Sequence, residues 1–159
     1  MNAQEYIDKA SSMITPRTQH LITEGDDYLA LGLIGETGEV CEHLKKSLRD
    51  DGGLLTGGRR EKLIHELGDV LWYTAMLAKA YGDQITFDVA PRRLGPIAHA
   101  RILATCVSDV VTLPTRILAC IAGIAQWCGV TLEQVADANI EKLVGRHERG
   151  TEHGSGDDR

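Results

Sequence analysis

The segments GLIGETGEV at residues 32–40 and ELGDVLWY at residues 66–73 each carry two acidic side chains three positions apart. The pairs are Glu36 with Glu39 and Glu66 with Asp69. On an α-helix, this spacing places both carboxylates on one face, one turn apart. The apolar residues around each pair recur at helical steps and do not alternate as in a strand, so both segments are predicted to be helices.

The four carboxylates are predicted to hold a divalent cation. Aliphatic residues surround both pairs, so the acidic side chains would face a core unless a cation neutralises them. Oxygen ligands that converge from two antiparallel helices suit Mg²⁺ or Mn²⁺. A helical di-iron centre is disfavoured because no Glu is followed by His at the Glu-x-x-His spacing. The alternative is a solvated acidic face, which is the usual meaning of a single acidic pair.

Two glycines and a histidine near these pairs bear on how the predicted helices pack. Gly38 and Gly68 lie inside the predicted helices, where each costs about 1 kcal/mol relative to Ala. A close approach of another helix or of a ligand would explain both. His43 lies one turn beyond Glu39 and could hydrogen-bond one of the metal ligands, but the preferred interpretation is a partly exposed side chain without a role in the site.

The rest of the chain is also predicted to be α-helical. Apolar residues follow helical steps between turns that are rich in Gly and Pro. Thr131 and Gln134 form the capping-box pattern of a helix start. Residues 83–96 are predicted to be a loop. The predicted helices span residues 3–14, 26 or 27 to 49, 59–81, 97–111, 115–128 and 131–147.

Composition restricts the class of protein. The 159 residues suffice for one domain with a core, and its apolar side chains are mostly Leu, Ile, Val and Ala, which favours helix packing. The net charge of −6, with no basic run longer than two residues, argues against a protein that coats nucleic acid. The four cysteines form no C-x-x-C pair, and the apolar run at 117–130 is too short for a bilayer. Because no signal-peptide region is seen either, we expect a cytoplasmic protein with reduced thiols and no membrane contact.

Taken in order, the motifs resemble those of the MazG-like nucleotide pyrophosphohydrolases of the all-α NTP pyrophosphatase superfamily. Besides the two acidic segments, ANIEKLVGR at residues 138–146 is similar to the family element Asn-x-x-Lys-Leu-x-x-Arg. The glycine-rich end of the chain resembles the tail of a bacterial and phage subset. The resemblance spans residues 4–82 and 129–159.

This resemblance implies Mg²⁺-dependent hydrolysis of (d)NTPs to (d)NMPs and pyrophosphate, in a nucleotide-pool housecleaning role. The four acidic residues would be the metal ligands, and one of them would act as the general base. The family often carries a further acid where Gly35 stands, which leaves the identity of the base open. The alternatives are a dedicated dUTP, dCTP or phosphoribosyl-ATP pyrophosphatase, or a non-enzymatic helical protein whose acids form a charged partner-binding surface.

A polar stripe on the last predicted helix is expected to bind the phosphates. Asn139, Lys142 and Arg146 are separated by steps of three and four, and Lys46 follows Glu39 by two turns on the same face. Lys and Arg bind phosphate oxygens through charge-assisted hydrogen bonds. The alternative is that the helix dipole alone attracts these cations to a helix C-terminus.

The expected organisation is a single domain at residues 1–148 with a helical insertion at 83–129, followed by a flexible tail at 149–159. Apolar residues spread around both inserted helices, so the pair is predicted to form a subunit interface of a homodimer or homotetramer. The alternative is that the pair completes the bundle of its own chain. The residues are Ile97, Ile102, Leu103, Val107, Val110, Ile117, Leu118, Ile121 and Ile124.

Overall fold

The computed structural model describes residues 1–107 and 114–149, which form α-helices and no strand. The predicted all-α fold is therefore confirmed for this part of the chain. In chain order, the helices are α1 (Ala3–Ser12), α2 (Pro16–Glu24), α3 (Asp27–Asp50), α4 (Gly57–Tyr81), α5 (Pro96–Cys106), α6 (Pro114–Trp127) and α7 (Leu132–Arg149).

Helix α2 was not predicted from the sequence. The sequence predicted a helix over residues 3–14 and none between there and residue 26, whereas α1 already ends at Ser12 and Pro16 is the first residue of α2. The Thr15 hydroxyl caps α2 by accepting a hydrogen bond from the backbone N–H of Thr18 at 3.2 Å. Proline is well suited to a first helical position, where its missing N–H would have no helical partner. The same two residues therefore separate the helices and start the second one.

Helices α3 and α4 form the antiparallel pair that carries the acidic motifs. At one end the Tyr81 hydroxyl donates to Asp26, and at the other Arg59 pairs with Asp51. The apolar residues that recur at helical steps along α3 and α4 form a stripe on each helix, and both stripes face the core except for Leu48 of α3, which is exposed. Helix α4 also contacts α1, α6 and α7, so it lies at the centre of the bundle. The buried stripe residues are Leu29, Leu33, Val40, Leu44, Leu63, Leu67, Val70, Leu71 and Leu77.

Helices α5 and α6 pack into the core of their own chain. Helix α5 contacts α3, and α6 contacts α4 and α7. The apolar surplus that predicted a subunit interface is therefore largely used within one chain. Val110 lies outside the described residues, Ile97 is partly exposed and Ile102 is partly buried. The buried members are Leu103, Val107, Ile117, Leu118, Ile121 and Ile124.

The structure also tests the predicted start of the last helix. The predicted capping box is confirmed, since Thr131 and Gln134 exchange hydrogen bonds of 2.9 and 3.3 Å. The predicted tail beyond Arg149 and the end of the predicted 97–111 helix lie outside the described residues. Within the described part of the chain, no single helix is long and apolar enough to cross a membrane. Among the described helices, one pair passes such a test together, α6 with α7, and this pair is bent by 92°.

Candidate metal centre and adjoining pocket

Three of the four predicted acidic ligands converge between α3 and α4. Glu36, Glu66 and Asp69 each offer a carboxylate oxygen, and these oxygens lie within 4.8 Å of one another. Glu66 is only 3% exposed, while the other two are partly buried. Three carboxylate oxygens at the edge of an apolar core form a donor set that fits Mg²⁺ or Mn²⁺.

Glu39, the fourth predicted ligand, occupies a different position. Its side chain is exposed on α3, one turn beyond Glu36, and it is not part of the three-carboxylate group in the described structure. It lies close enough to His43 to favour the protonated imidazole electrostatically. Glu39 is therefore a carboxylate at the rim of the centre.

Two residues of the predicted phosphate stripe contact a carboxylate of the centre. The Asn139 side-chain N–H donates to Asp69 Oδ1 at 3.0 Å, and the Lys142 ammonium pairs with Asp69 Oδ2. Both oxygens of Asp69 are thus engaged by α7. In this structure, Asn139 and Lys142 hold a carboxylate of the centre, and their contact with phosphate remains a prediction.

The other two predicted phosphate ligands have different surroundings. Arg146, one turn beyond Lys142, lines a pocket that opens beside the acidic group. The Nζ atom of Lys46 lies 3.3 Å from Oε1 of Glu42 on the same helix. The structure therefore brings Arg146 to the centre and engages Lys46 in a local ion pair.

Gly68 permits the close approach of α7. A Cβ atom at this position would lie 2.9 Å from the Cβ of Asn139, a distance that real Cβ atoms do not adopt. The predicted close helix–helix approach is thus confirmed at Gly68, where it brings Asn139 to the neighbouring Asp69. Gly38 has no such contact, because a Cβ there would meet open space.

His43 is buried, so the preferred prediction of a partly exposed side chain was wrong. It is 9% exposed, and its Nε2 lies 3.7 Å from Glu66 Oε1. Burial, followed by the charges of Lys46 and Lys62, lowers the pKa of the imidazole. Nδ1 has no hydrogen-bond partner among the described residues. His43 follows Glu36 by seven residues, or two helical turns, so it lies on the face of α3 that meets Glu66 of α4.

A cavity of about 190 Å³ adjoins the carboxylate group. Glu36, Asp69 and Arg146 lie on its wall, together with the aromatic side chains of Trp72 and Tyr73. The turn between α1 and α2 and the first turn of α2 supply further wall residues, including Thr15 and Thr18. The cavity therefore combines charged groups for an anionic ligand with aromatic surface.

The aromatic wall is held by close packing. The Trp72 and Tyr73 rings meet edge to face with centroids 4.9 Å apart, and the Tyr28 ring lies 6.2 Å from that of Tyr73. Gly32 makes room for Tyr73, since a Cβ on Gly32 would lie 2.2 Å from its ring. Burial, together with Tyr28, Glu36 and Asp69, raises the pKa of the Tyr73 hydroxyl, so this group stays neutral.

Several wall residues could have been found from sequence spacing. Trp72 and Tyr73 follow Asp69 by three and four positions, which places them on the face of α4 next to that carboxylate. Tyr28 precedes Glu36 by about two turns of α3. Thr15 and Thr18 had no such signal, because they belong to the helix that was not predicted.

The fold and the site together define an all-α protein in which three carboxylates between two helices could hold a metal ion. Residues 25–91 match the MazG nucleotide pyrophosphohydrolase domain, a range that includes both acidic motifs. The predicted MazG-like resemblance is therefore confirmed for this part of the chain. The Gene 37 protein of Mycobacterium phage L5 is 51% identical over 55 residues, which are 35% of this chain and 48% of that protein. The matched region thus spans about half the length of this relative, and no solved structure matches the chain.

Proposed function

We propose that this protein hydrolyses nucleoside triphosphates to monophosphates and pyrophosphate with Mg²⁺ or Mn²⁺ held by Glu36, Glu66 and Asp69. The observation that carries the proposal is the convergence of three carboxylates beside a cavity that also contains Arg146. A charged partner-binding surface is the weaker alternative, because Glu66 is 3% exposed and so points into the protein. The match to the MazG domain supports the same class of reaction.

The cavity is lined by both aromatic and charged side chains, and together they can orient the nucleotide. A cavity of about 190 Å³ is smaller than the roughly 300–1,000 Å³ of pockets that enclose whole drug-sized ligands. It therefore suits one part of the nucleotide, and the Trp72 and Tyr73 side chains favour the nucleoside there. Arg146 and the carboxylate centre then face the phosphate chain.

In the proposed reaction, the oxygen of a water molecule attacks the α-phosphorus and forms a new bond to it. The bond from the α-phosphorus to its bridging oxygen breaks, and pyrophosphate leaves with that oxygen. A bound divalent cation would neutralise the phosphates and lower the pKa of its water. Glu39, exposed at the rim one turn from Glu36, is the carboxylate that we assign to accept the proton.

A nucleotide panel tests this proposal. Each NTP and dNTP, with dUTP, dCTP and phosphoribosyl-ATP included, is incubated with the protein in Mg²⁺ and in excess EDTA. We expect Mg²⁺-dependent release of pyrophosphate and, in ¹⁸O-water, label in the monophosphate. Turnover of a single nucleotide would select the dedicated alternative, and release of orthophosphate alone or no turnover at all would contradict the proposal.

Arg146→Ala is expected to lower kcat/KM by about ten- to a hundred-fold, the effect of losing a charge-assisted hydrogen bond. Arg149→Ala is the matched control, because it removes the same charge from the last turn of α7 outside the cavity wall. Steady-state kinetics at saturating Mg²⁺ compare the two variants. Equal effects would assign Arg146 to the helix dipole instead of the phosphates.

We also propose that the chain assembles as a homodimer or homotetramer, in a reducing, cytoplasmic setting. The support for assembly now comes from α3, where Leu31, Ile34 and Leu48 are exposed on the side away from the core. The support for the compartment is that all four cysteines are free thiols.

A further inference from the structure

A buried hydrogen-bond chain connects α1 to the carboxylate centre. The Tyr6 hydroxyl donates to Asn139 Oδ1 at 2.7 Å, and Asn139 Nδ2 donates to Asp69 Oδ1 at 3.0 Å. Tyr6 is 0% and Asn139 is 2% exposed. Water is therefore not available to Tyr6 or Asn139, so their polar groups must be satisfied by each other and by Asp69, which is itself partly exposed.

The chain has a fixed direction. A side-chain amide has one accepting oxygen and one donating nitrogen, so the hydroxyl of Tyr6 selects the orientation in which the nitrogen faces Asp69. A flipped amide would place its oxygen against the carboxylate and leave the Tyr6 proton without an acceptor. Burial and the charge of Asp69 raise the pKa of Tyr6 well above its ordinary value, so its hydroxyl remains a donor.

Asp69 receives two contacts from α7, which are a hydrogen bond from Asn139 and an ion pair with Lys142. Lys142 is a compact cation that can follow a moving carboxylate, whereas the amide of Asn139 fixes the direction of Oδ1. Because Gly68 lets Asn139 approach α4 closely, a small rotation of the amide would change the position of the carboxylate. The orientation of Asp69 toward Glu36 and Glu66 therefore depends on the Asn139 amide.

We propose that Tyr6 is a positioning residue of the centre, which acts through Asn139 to orient Asp69 for divalent cation binding. The inference rests on the proposed function in one respect, namely that the centre binds a divalent cation. It assigns to the N-terminal helix a role that neither the acidic motifs nor the matched range of residues 25–91 includes.

Tyr6→Phe tests the proposal, because it removes the hydroxyl and keeps the ring that packs 6.0 Å from that of Phe87. Tyr81→Phe is the matched control, since it removes a hydroxyl donated to Asp26 far along the helix from the centre. The Mn²⁺ dissociation constant is measured without nucleotide by electron paramagnetic resonance. We expect about 10–100-fold weaker binding in Tyr6→Phe, the effect of losing a residue that orients a ligand, and unchanged binding in Tyr81→Phe.

Two further measurements separate positioning from a general loss of structure. Excess Mg²⁺ should restore the kcat of Tyr6→Phe, with the KM for nucleotide unchanged. Asn139→Ser removes the next member of the chain, and the double variant should bind Mn²⁺ no more weakly than the weaker single variant. Effects that multiply, or a folded Tyr6→Phe variant with wild-type affinity, would overturn the proposal.

The outcomes also keep this proposal distinct from the proposed function. A protein that binds Mn²⁺ but hydrolyses no nucleotide would overturn the function, while the affinities of the variants would still decide the role of Tyr6. A wild-type protein that binds no Mn²⁺ would overturn both. If Tyr6→Phe does not fold, hydrogen exchange of the Asn139 side-chain amide in the wild type decides: slow exchange supports the chain, and fast exchange overturns it.

Discussion

Asp69→Asn is expected to reduce turnover by about 10²–10³-fold, comparable to the loss of one charge-stabilising group at other active sites, and to weaken Mn²⁺ binding. Asp69 supplies one of three converging carboxylates and also neutralises Lys142. The substitution removes the negative charge that both the cation and Lys142 require. Pyrophosphate release and Mn²⁺ affinity, measured on the same preparation, test the two effects.

Glu39→Gln should separate the proton acceptor from the metal ligands. Because Glu39 lies outside the three-carboxylate group, we expect its turnover to fall while Mn²⁺ affinity stays close to wild type. Glu42→Gln, one turn further along α3 and paired with lysines, is the control for the loss of one negative charge. If Glu39→Gln weakens Mn²⁺ binding as strongly as Asp69→Asn, Glu39 is a fourth ligand.

Wild-type turnover in Asp69→Asn would contradict the assignment of the centre.

The two variants should also differ in thermal stability. Removing one of several clustered carboxylates relieves repulsion, which is a reason to expect a stable fold after either substitution. That reason holds for the exposed Glu39. It does not hold for Asp69, because Lys142 is largely buried and would lose its anion. A melting curve without metal should therefore show a lower midpoint for Asp69→Asn than for Glu39→Gln.

The described helices other than α2, and most of the carboxylate centre, could be predicted from local sequence patterns. The spacing of Glu66 and Asp69 and the surrounding aliphatic residues determine the face of α4 that carries them. Gly68 could be interpreted in the same way, since a costly residue inside a helix often indicates a close approach, although the same inference was wrong for Gly38. These inferences needed no knowledge of which helices pack together.

The remaining features depend on contacts between distant parts of the chain. Tyr6 and Asn139 are 133 positions apart, and no periodicity indicates that α1 and α7 meet. Helix α2 has no buried residue, so it lacks the apolar stripe from which helices are predicted. The exposure of Glu39 and the burial of His43 depend on how far α3 rotates against α4, which spacing alone does not determine.

The role of α5 and α6 was the least predictable, because a helix that is apolar on most sides is buried either within one chain or between chains. Ile124→Glu distinguishes the two, and we expect it to prevent folding. Ile124 is 0% exposed, and truncation of such a residue to Ala already costs about 2–5 kcal/mol, out of a total stability of about 5–15 kcal/mol. A buried carboxylate without a partner costs more.

Ile97→Glu is the matched control, because Ile97 lies at the start of α5 and is 37% exposed. Circular dichroism and light scattering should show a folded Ile97→Glu protein of wild-type mass and no folded Ile124→Glu protein. The contrary result would be a folded Ile124→Glu species smaller than the wild type. That outcome would mean that Ile124 stabilises contact between subunits, and that α6 leaves the core of its own chain when the subunits separate.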